Sequence, residues 1–201
     1  MNKIEVLLFD LGGVLIELSG VPTMLDWAGE SSEEAIWQRW LSSATVRRFE
    51  AGECSPMEFA LGMVGEFSLP VTAEEFIQAF THWPKLPFSG AVELLSMLRS
   101  SYTVACLSNT NELHWNRFCE ESDLMQQFHH SFPSHLTGML KPDRTVFEHV
   151  TTELAIDPSK ILFFDDNQLN VDGARAAGLR ALKTIACDGV KTHLQAEGIF
   201  P

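Results

Sequence analysis

Basic residues are scarce in this sequence. Lys and Arg total 14 against 27 Asp and Glu, which gives a formal net charge of −13 at pH 7. A surface for nucleic acid or an anionic membrane needs clustered positive charge, and the one tight basic pair is Arg47-Arg48. The composition therefore argues against nucleic acid and membrane as partners. It still allows a small anionic ligand, because one lysine or a metal ion can reverse the field locally.

Cysteines and long apolar runs are also few. The four cysteines have neither zinc-finger nor redox spacing, which favours reduced thiols in a cytosolic protein. The apolar stretch 4–18 is broken by Glu5 and Asp10 and lacks a small-residue cleavage site, so it does not resemble a secretory signal. No run is long enough to cross a bilayer. The sequence predicts a cytoplasmic location.

Short apolar runs separated by helical patterns are what the sequence does contain. The runs 4–9, 102–107, 161–164 and 181–185 predict buried strands. Between them, helical spacing covers 91–99, 143–154 and 171–177, and Asn109 resembles a helix start three residues before Glu112. Strands alternating with helices predict an α/β fold with a Rossmann-like parallel sheet.

Residues 19–87 have a different pattern. No convincing strand is visible there, and apolar and aromatic residues recur at helical spacing between punctuating Gly and Pro. The pattern predicts an inserted α-helical domain over 19–87, whose aromatic residues form its core. The α/β core is then expected to comprise 1–18 and 88–201.

Polar residues follow three of the predicted strands, where open α/β sheets bind ligands. Asp10, Ser108 and the pair Asp165-Asp166 stand at these ends, and Lys141 precedes a predicted helix. Each of these residues alone is explained by an ordinary structural role, as a turn former, part of a polar loop or the start of a helix. Together they are the residue types that bind Mg²⁺ and phosphate, so the set predicts a magnesium and phosphate site.

The same segments resemble the four motifs of the haloacid dehalogenase-like (HAD) superfamily. They are the runs 9–15 (FDLGGVL), 107–110 (LSNT), 141–142 (KP) and 164–170 (FDDNQLN). The resemblance covers nearly the whole chain and includes a helical cap after the first strand. The longer strings 107–111 (LSNTN) and 163–167 (FFDDN) look most like the bacterial branch related to glucose-1-phosphate phosphatase.

The resemblance implies a Mg²⁺-dependent phosphomonoester hydrolase that acts on a small phosphorylated metabolite, with sugar phosphates as candidates. Asp10 would attack phosphorus and form an aspartyl-phosphate. Mg²⁺ would be held by the Asp10 side chain, the Gly12 carbonyl and Asp166, with Asp165 orienting a ligand or a water.

The resemblance also implies the groups that hold the phosphate. Ser108 and the backbone N–H of Asn109 would bind a phosphoryl oxygen, and Lys141 would stabilise charge on the nucleophile and the transferring group. The sequence names neither the particular phosphate ester nor the oligomeric state.

One residue departs from the pattern of family phosphatases. They usually carry Asp-x-Asp in the first motif, and the second Asp protonates the leaving oxygen, but Gly12 occupies that position here. His114, Glu17 or a residue of the cap are candidate replacements. Alternatively, the enzyme is slow or uses good leaving groups, or the chain binds phosphometabolites without catalysis.

A 2-haloacid dehalogenase is a further alternative. That branch uses an Asp nucleophile without the second Asp, does not depend on Mg²⁺ and needs an arginine for halide. The candidates for this role are Arg39, Arg47 and Arg48. They are better explained as solvent-exposed residues of helices. The adjacent Asp165-Asp166 pair favours a metal, because uncompensated carboxylates beside Asp10 would repel one another.

Overall fold

The structure is a computed structural model that describes residues 3–29 and 31–199. The outer limits predicted for the core, residues 1 and 201, lie outside the described residues. The strands are β1 (Val6–Phe9), β2 (Ile16–Leu18), β3 (Pro84–Pro87), β4 (Thr103–Ser108), β5 (His130–Pro133), β6 (Ile161–Asp165) and β7 (Arg180–Lys183).

Eleven α-helices lie in the described part of the chain. They are α1 (Gly20–Ala28), α2 (Glu33–Ser42), α3 (Ala44–Glu50), α4 (Pro56–Phe67), α5 (Ala73–Thr81), α6 (Ala91–Leu98), α7 (Glu112–Glu121), α8 (Ser134–Thr137), α9 (Arg144–Glu153), α10 (Gln168–Ala176) and α11 (Ala186–Ala196). None of the described helices is both long and apolar enough to cross a bilayer.

The central sheet has five parallel strands in the order β5-β4-β1-β6-β7. Strand β1 is buried at all four positions, as its nearly continuous apolar sequence predicts. Helices α6, α7 and α11 cover one face, and α9 and α10 cover the other. The predicted α/β fold with a parallel sheet is confirmed.

Helices α1 to α5 follow one another between β2 and β3 and bury their own aromatic cluster. Phe49 and Phe59 stack with ring centroids 4.2 Å apart, and Phe76 and Phe80 stack at 5.7 Å. Aromatic rings each remove a large apolar area from water, so this cluster stabilises the packing of α1 to α5. Leu113 of α7 packs against the cluster and joins it to the sheet domain.

Two local expectations were wrong, and an edge strand of the sheet was not predicted. Strand β3 lies inside the segment predicted to lack strands and pairs antiparallel with β2; a proline at each end conceals it. Strand β5 at the sheet edge went unrecognised, because its first two residues are exposed and it lacks an apolar run. Helix α7 is capped by Asn111, whose side chain accepts from the His114 N–H, and not by Asn109.

Candidate active site

Three functional side chains predicted from the sequence meet because β1 lies between β4 and β6. Asp10 follows β1 and its N–H donates to the Phe164 carbonyl at 2.9 Å. Ser108 ends β4 on one side, and Asp165 ends β6 on the other. All three are buried. The C-terminal edge of the sheet therefore holds two carboxyl groups and a hydroxyl at neighbouring strand ends.

Lys141 joins the two carboxylates. Its Nζ lies 2.9 Å from Asp10 Oδ1 and 2.7 Å from Asp165 Oδ2, and its side chain is only 1% exposed. Asn109 fixes the lysine backbone, since its Oδ1 accepts from the Lys141 N–H at 2.9 Å and its Nδ2 donates to the Lys141 carbonyl at 3.0 Å. The sequence prediction assigned only the Asn109 backbone to the site; its side chain holds the lysine loop.

The charges of Lys141 and its neighbouring carboxylates favour the binding of an added cation. Burial disfavours the charged form of Lys141, but Asp10 and Asp165 outweigh it, so the lysine pKa is raised. Burial raises the pKa of Asp10 to about 7; Lys141 acts in the opposite direction, and Asp165 and Asp166 add to the rise. One ammonium therefore does not compensate three carboxylates, and a further positive charge would stabilise their ionised forms.

The three carboxylates are arranged in a way that fits a divalent cation. Asp10, Asp165 and Asp166 each offer an oxygen, and these atoms all lie within 4.8 Å of one another. Asp165 is already engaged, because it also accepts from the Asn167 N–H at 2.8 Å and from Asn170 Nδ2 at 3.0 Å. Asp10 and Asp166 are therefore the carboxylates with capacity to bind a metal directly.

Gly13 brings the loop after β1 close to Asp166. Its φ is +72°, and a Cβ atom there would lie 2.2 Å from Asp166 Oδ2. A side chain at this position would therefore displace the carboxylate as well as strain the backbone. The second glycine of the first motif thus has a steric role in keeping the acidic cluster compact.

Removing the lysine should destabilise the fold strongly. Lys141→Met would leave Asp10 and Asp165 buried without their partner. We expect the free energy of unfolding to fall by about 3–5 kcal/mol in chelator at pH 8, measured by urea denaturation. Lys85→Met, at an exposed lysine, should change it by less than about 0.5 kcal/mol. Equal losses for the two variants would contradict the central place of Lys141.

Glu50 of α3 was not selected by the sequence reasoning. It lines the same cavity as Asp10, Ser108 and Lys141, and its side chain is partly buried. Burial raises the pKa of Glu50 to about 7; Lys141 lowers it in part, and Asp10 adds to the rise. The charges of Lys141 and Asp10 thus both act on this carboxyl group. Glu50 lies within the segment 19–87, in which the sequence left one candidate proton donor unspecified.

The C-terminal end of α3 is held against the sheet domain. Gly52 has a φ of +73°, and a Cβ atom there would lie 2.2 Å from the His135 carbonyl of α8. Such close backbone approach is possible only for glycine. Arg47 of α3 also forms an ion pair with Asp143, just before α9. These contacts hold the end of α3 beside the sheet domain, and Glu50 lines the cavity from that helix.

The other proposed proton donors have different surroundings. His114 lines the cavity, but its ring nitrogens are hydrogen-bonded to the Phe80 carbonyl at 2.8 Å and to Asn111 Nδ2 at 3.1 Å. Burial lowers the pKa of His114 to about 4, so the ring is neutral near pH 7. Glu17 is exposed on β2 and is not among the residues that line the cavity. Of Glu50, His114 and Glu17, Glu50 is the carboxyl group that lines the cavity.

The fold and the site together define an α/β protein with an acidic cluster and a buried lysine at the C-terminal edge of its sheet. Residues 4–178 match the haloacid dehalogenase-like hydrolases, and the chain belongs to this family. The superfamily expected from the four sequence motifs is thus confirmed.

The chain is similar to members of the family with different chemistry. It is 26% identical to the (S)-2-haloacid dehalogenase H-109 of Pseudomonas putida over 189 residues, which are 89% of this chain and 84% of the dehalogenase. It is 24% identical to the D-ribitol-5-phosphate phosphatase of Bacteroides thetaiotaomicron over 193 residues, 90% and 91% of the two chains.

A solved structure is also similar over most of its length. A HAD family enzyme from Bacteroides thetaiotaomicron, crystallised with magnesium and inorganic phosphate, superposes with a TM-score of 0.76 at 27% identity. The match covers 90% of this chain and 94% of that enzyme.

Proposed function

We propose that the protein is a Mg²⁺-dependent phosphomonoester hydrolase that acts on a small phosphorylated metabolite through Asp10. The observation that carries this proposal is the grouping of Asp10, Lys141 and Asp166 beside Ser108 in one cavity. A panel of sugar phosphates and an aryl phosphate, assayed for phosphate release, tests it. Binding of metal and phosphate by calorimetry without turnover would instead support a non-catalytic binding protein.

In this proposal Asp10 attacks phosphorus and forms an aspartyl-phosphate, which water then hydrolyses. Both hydrogen bonds that Asp10 accepts from described residues, from Lys141 and from the Leu11 N–H, are at Oδ1, which leaves Oδ2 for the substrate side. Lys141 stabilises negative charge on the nucleophile and the transferring group. Ser108 and the Asn109 N–H bind a phosphoryl oxygen.

Asp10, the Gly12 carbonyl and Asp166 would hold Mg²⁺, and Asp165 would keep Lys141 in place. The bound cation would neutralise charge between the Asp10 carboxylate and the phosphoryl oxygens. Magnesium usually keeps part of its coordination shell for substrate phosphate, which suits a site with two directly available carboxylates. The relative crystallised with magnesium and phosphate supports this cofactor.

Glu50 supplies the proton in this proposal. The leaving oxygen needs a general acid, and Gly12 provides none. Glu50 lies in the same cavity, and a carboxyl pKa near 7 suits proton transfer at neutral pH. The helical segment 19–87 then acts as a cap that delivers the acid and covers the site.

An acid placed at residue 12 should rescue the loss of Glu50. A Cβ atom on Gly12 would lie 3.2 Å from Leu18 Cδ1, the flexible end of a side chain, so a small shift admits it. In a Glu50→Gln background we expect Gly12→Asp to raise kcat/KM for an alkyl phosphate about tenfold or more. Gly12→Asn has the same shape without the acid and should not. Equal rates for the Asp and Asn variants would show that residue 12 cannot take the proton-transfer role.

The second candidate function is 2-haloacid dehalogenation, favoured by the 26% identity to the Pseudomonas putida enzyme. Of the three arginines considered, Arg47 lines the cavity, where it is paired with Asp143. Arg39 instead stacks on Phe67 with its guanidinium carbon 4.2 Å from the ring centroid. Halide release from 2-chloropropionate that is insensitive to chelator would favour this function over phosphate hydrolysis.

The glucose-1-phosphate phosphatase branch stays a prediction. The Bacteroides thetaiotaomicron relative is a D-ribitol-5-phosphate phosphatase. Its similarity supports a small phosphorylated substrate for this chain, and the leaving group is decided by the side chains of the cap.

A further inference from the structure

The catalytic residues form only one end of a larger cavity. The cavity has a volume of about 900 Å³ and extends from Asp10, Ser108 and Lys141 to helices α1 and α2. Pockets of roughly 300–1,000 Å³ hold small organic ligands. A phosphoryl group fills only a small part of this space, so most of the cavity remains for the rest of the substrate.

The wall away from the catalytic residues is apolar. It includes the side chains of Val21, Met24, Ile36, Trp40, Phe80 and Trp83. The rim carries four apolar side chains with large exposed fractions: Leu18 at 44%, Trp37 at 36%, Leu41 at 63% and Leu169 at 63%. Trp37 and Leu41 are one turn apart on α2 and so lie on the same side of that helix. Exposed apolar side chains that cluster around one opening mark a binding surface.

Several of the polar side chains that line this cavity already have partners, whereas the buried indole N–H of Trp83 has none among the described residues. Arg47 is paired with Asp143, and His114 is bonded to a backbone carbonyl at 2.8 Å. Gln38 donates to Glu34 at 3.4 Å. A polyol leaving group would therefore bury hydroxyl groups against apolar side chains with few available partners, which is unfavourable.

We propose that the substrate is the phosphate monoester of an apolar alcohol, with the alkyl or aromatic part bound between α1, α2 and Leu169. This inference rests on the proposed function of the site. In the reaction the P–O bond to the alcohol breaks, and the alcohol leaves with a proton. Water then supplies the fourth oxygen of inorganic phosphate. The apolar wall binds only the alcohol and takes no part in these bond changes.

A chain-length series tests the proposal. The alcohols released from butyl, hexyl and octyl phosphate are chemically nearly equivalent leaving groups. Differences in kcat/KM therefore report how much of the alkyl chain is buried. We expect kcat/KM to rise about three- to fourfold for each added methylene that is buried. Ribitol 5-phosphate should be a poorer substrate than hexyl phosphate. A flat series, or a preference for ribitol 5-phosphate, would overturn the proposal.

Variants at the rim give a second, independent readout. Trp37→Gln and Leu41→Gln change exposed side chains, so both proteins should fold normally. Each should reduce the dependence on chain length and lower kcat/KM for octyl phosphate more than for butyl phosphate. Met97→Gln removes an apolar side chain of similar exposure, 54%, on α6, away from the cavity, and should leave the series unchanged. Equal effects of the rim and Met97 variants would count against the proposed subsite.

Acetyl phosphate separates this inference from the proposed function. It has a small, reactive leaving group that needs neither the apolar wall nor an acid. If acetyl phosphate is hydrolysed with Mg²⁺ while the alkyl series is flat, the phosphate chemistry stands and the apolar subsite is wrong. If neither acetyl phosphate nor any alkyl phosphate is hydrolysed, both proposals fail.

Discussion

Replacing Asp10 with Asn should lower phosphate release by on the order of 10⁴-fold or more, because the amide cannot form the aspartyl-phosphate. The substitution keeps the size of the side chain and removes one charge from a cluster whose carboxylates repel one another. We therefore expect the variant to fold at least as stably as the wild type. Measurement of kcat with acetyl phosphate and saturating Mg²⁺ checks the activity, and urea denaturation checks the fold.

The matched control is Asp172→Asn. Asp172 is exposed on α10, in the same sheet domain, and is bonded to Gln168 outside the acidic cluster. Its substitution should leave kcat within about twofold of the wild type. An Asp10→Asn enzyme with kcat within tenfold of the wild type would show that another group attacks phosphorus.

Replacing Glu50 with Gln should lower kcat/KM for an alkyl phosphate by about 10²–10⁴-fold, the usual contribution of a general acid. The loss should be much smaller for 4-nitrophenyl phosphate, whose leaving group needs no proton. This dependence on the leaving group distinguishes a proton donor from a residue that only shapes the cavity. Glu34→Gln is the matched control, because Glu34 also lines the cavity from the cap but is exposed.

The pH dependence gives a second test of Glu50. A general acid works in its protonated form, and burial raises the pKa of Glu50 to about 7. The limb of the pH–activity profile that Glu50 sets should therefore descend as the pH rises through about 7. The Glu50→Gln enzyme should lack that fall. If the activity of the Glu50→Gln enzyme falls with the same midpoint, the titrating group is a different residue.

The residues at the strand ends could be located from the sequence because parallel strands place their C-termini at one edge of a sheet. Asp10, Ser108 and Asp165 each follow a recognisable apolar run, so their grouping required only the fold class. The order β4-β1-β6 then makes them neighbours. Lys141 lacks a strand before it; its charge and its place before a predicted helix suggested it, and the resemblance of the motifs implied its role.

Glu50 could not be located in this way, because its position depends on contacts between distant segments. The backbone of Gly52 packs on the His135 carbonyl, and Arg47 pairs with Asp143. Neither contact has a periodic or spacing signal in the sequence. An acidic residue in an amphipathic helix is ordinarily a solvated one, and only the docking of α3 makes this residue different.

Magnesium-dependent hydrolysis at Asp10 is tested most directly by phosphate release from acetyl phosphate, measured for the wild-type protein with Mg²⁺ and with excess chelator. We expect turnover with Mg²⁺, its loss on chelation and its recovery when Mg²⁺ is restored. Phosphate release that continues unchanged in chelator would contradict the magnesium site at Asp10 and Asp166. Absence of release under both conditions would contradict the assignment as a phosphatase.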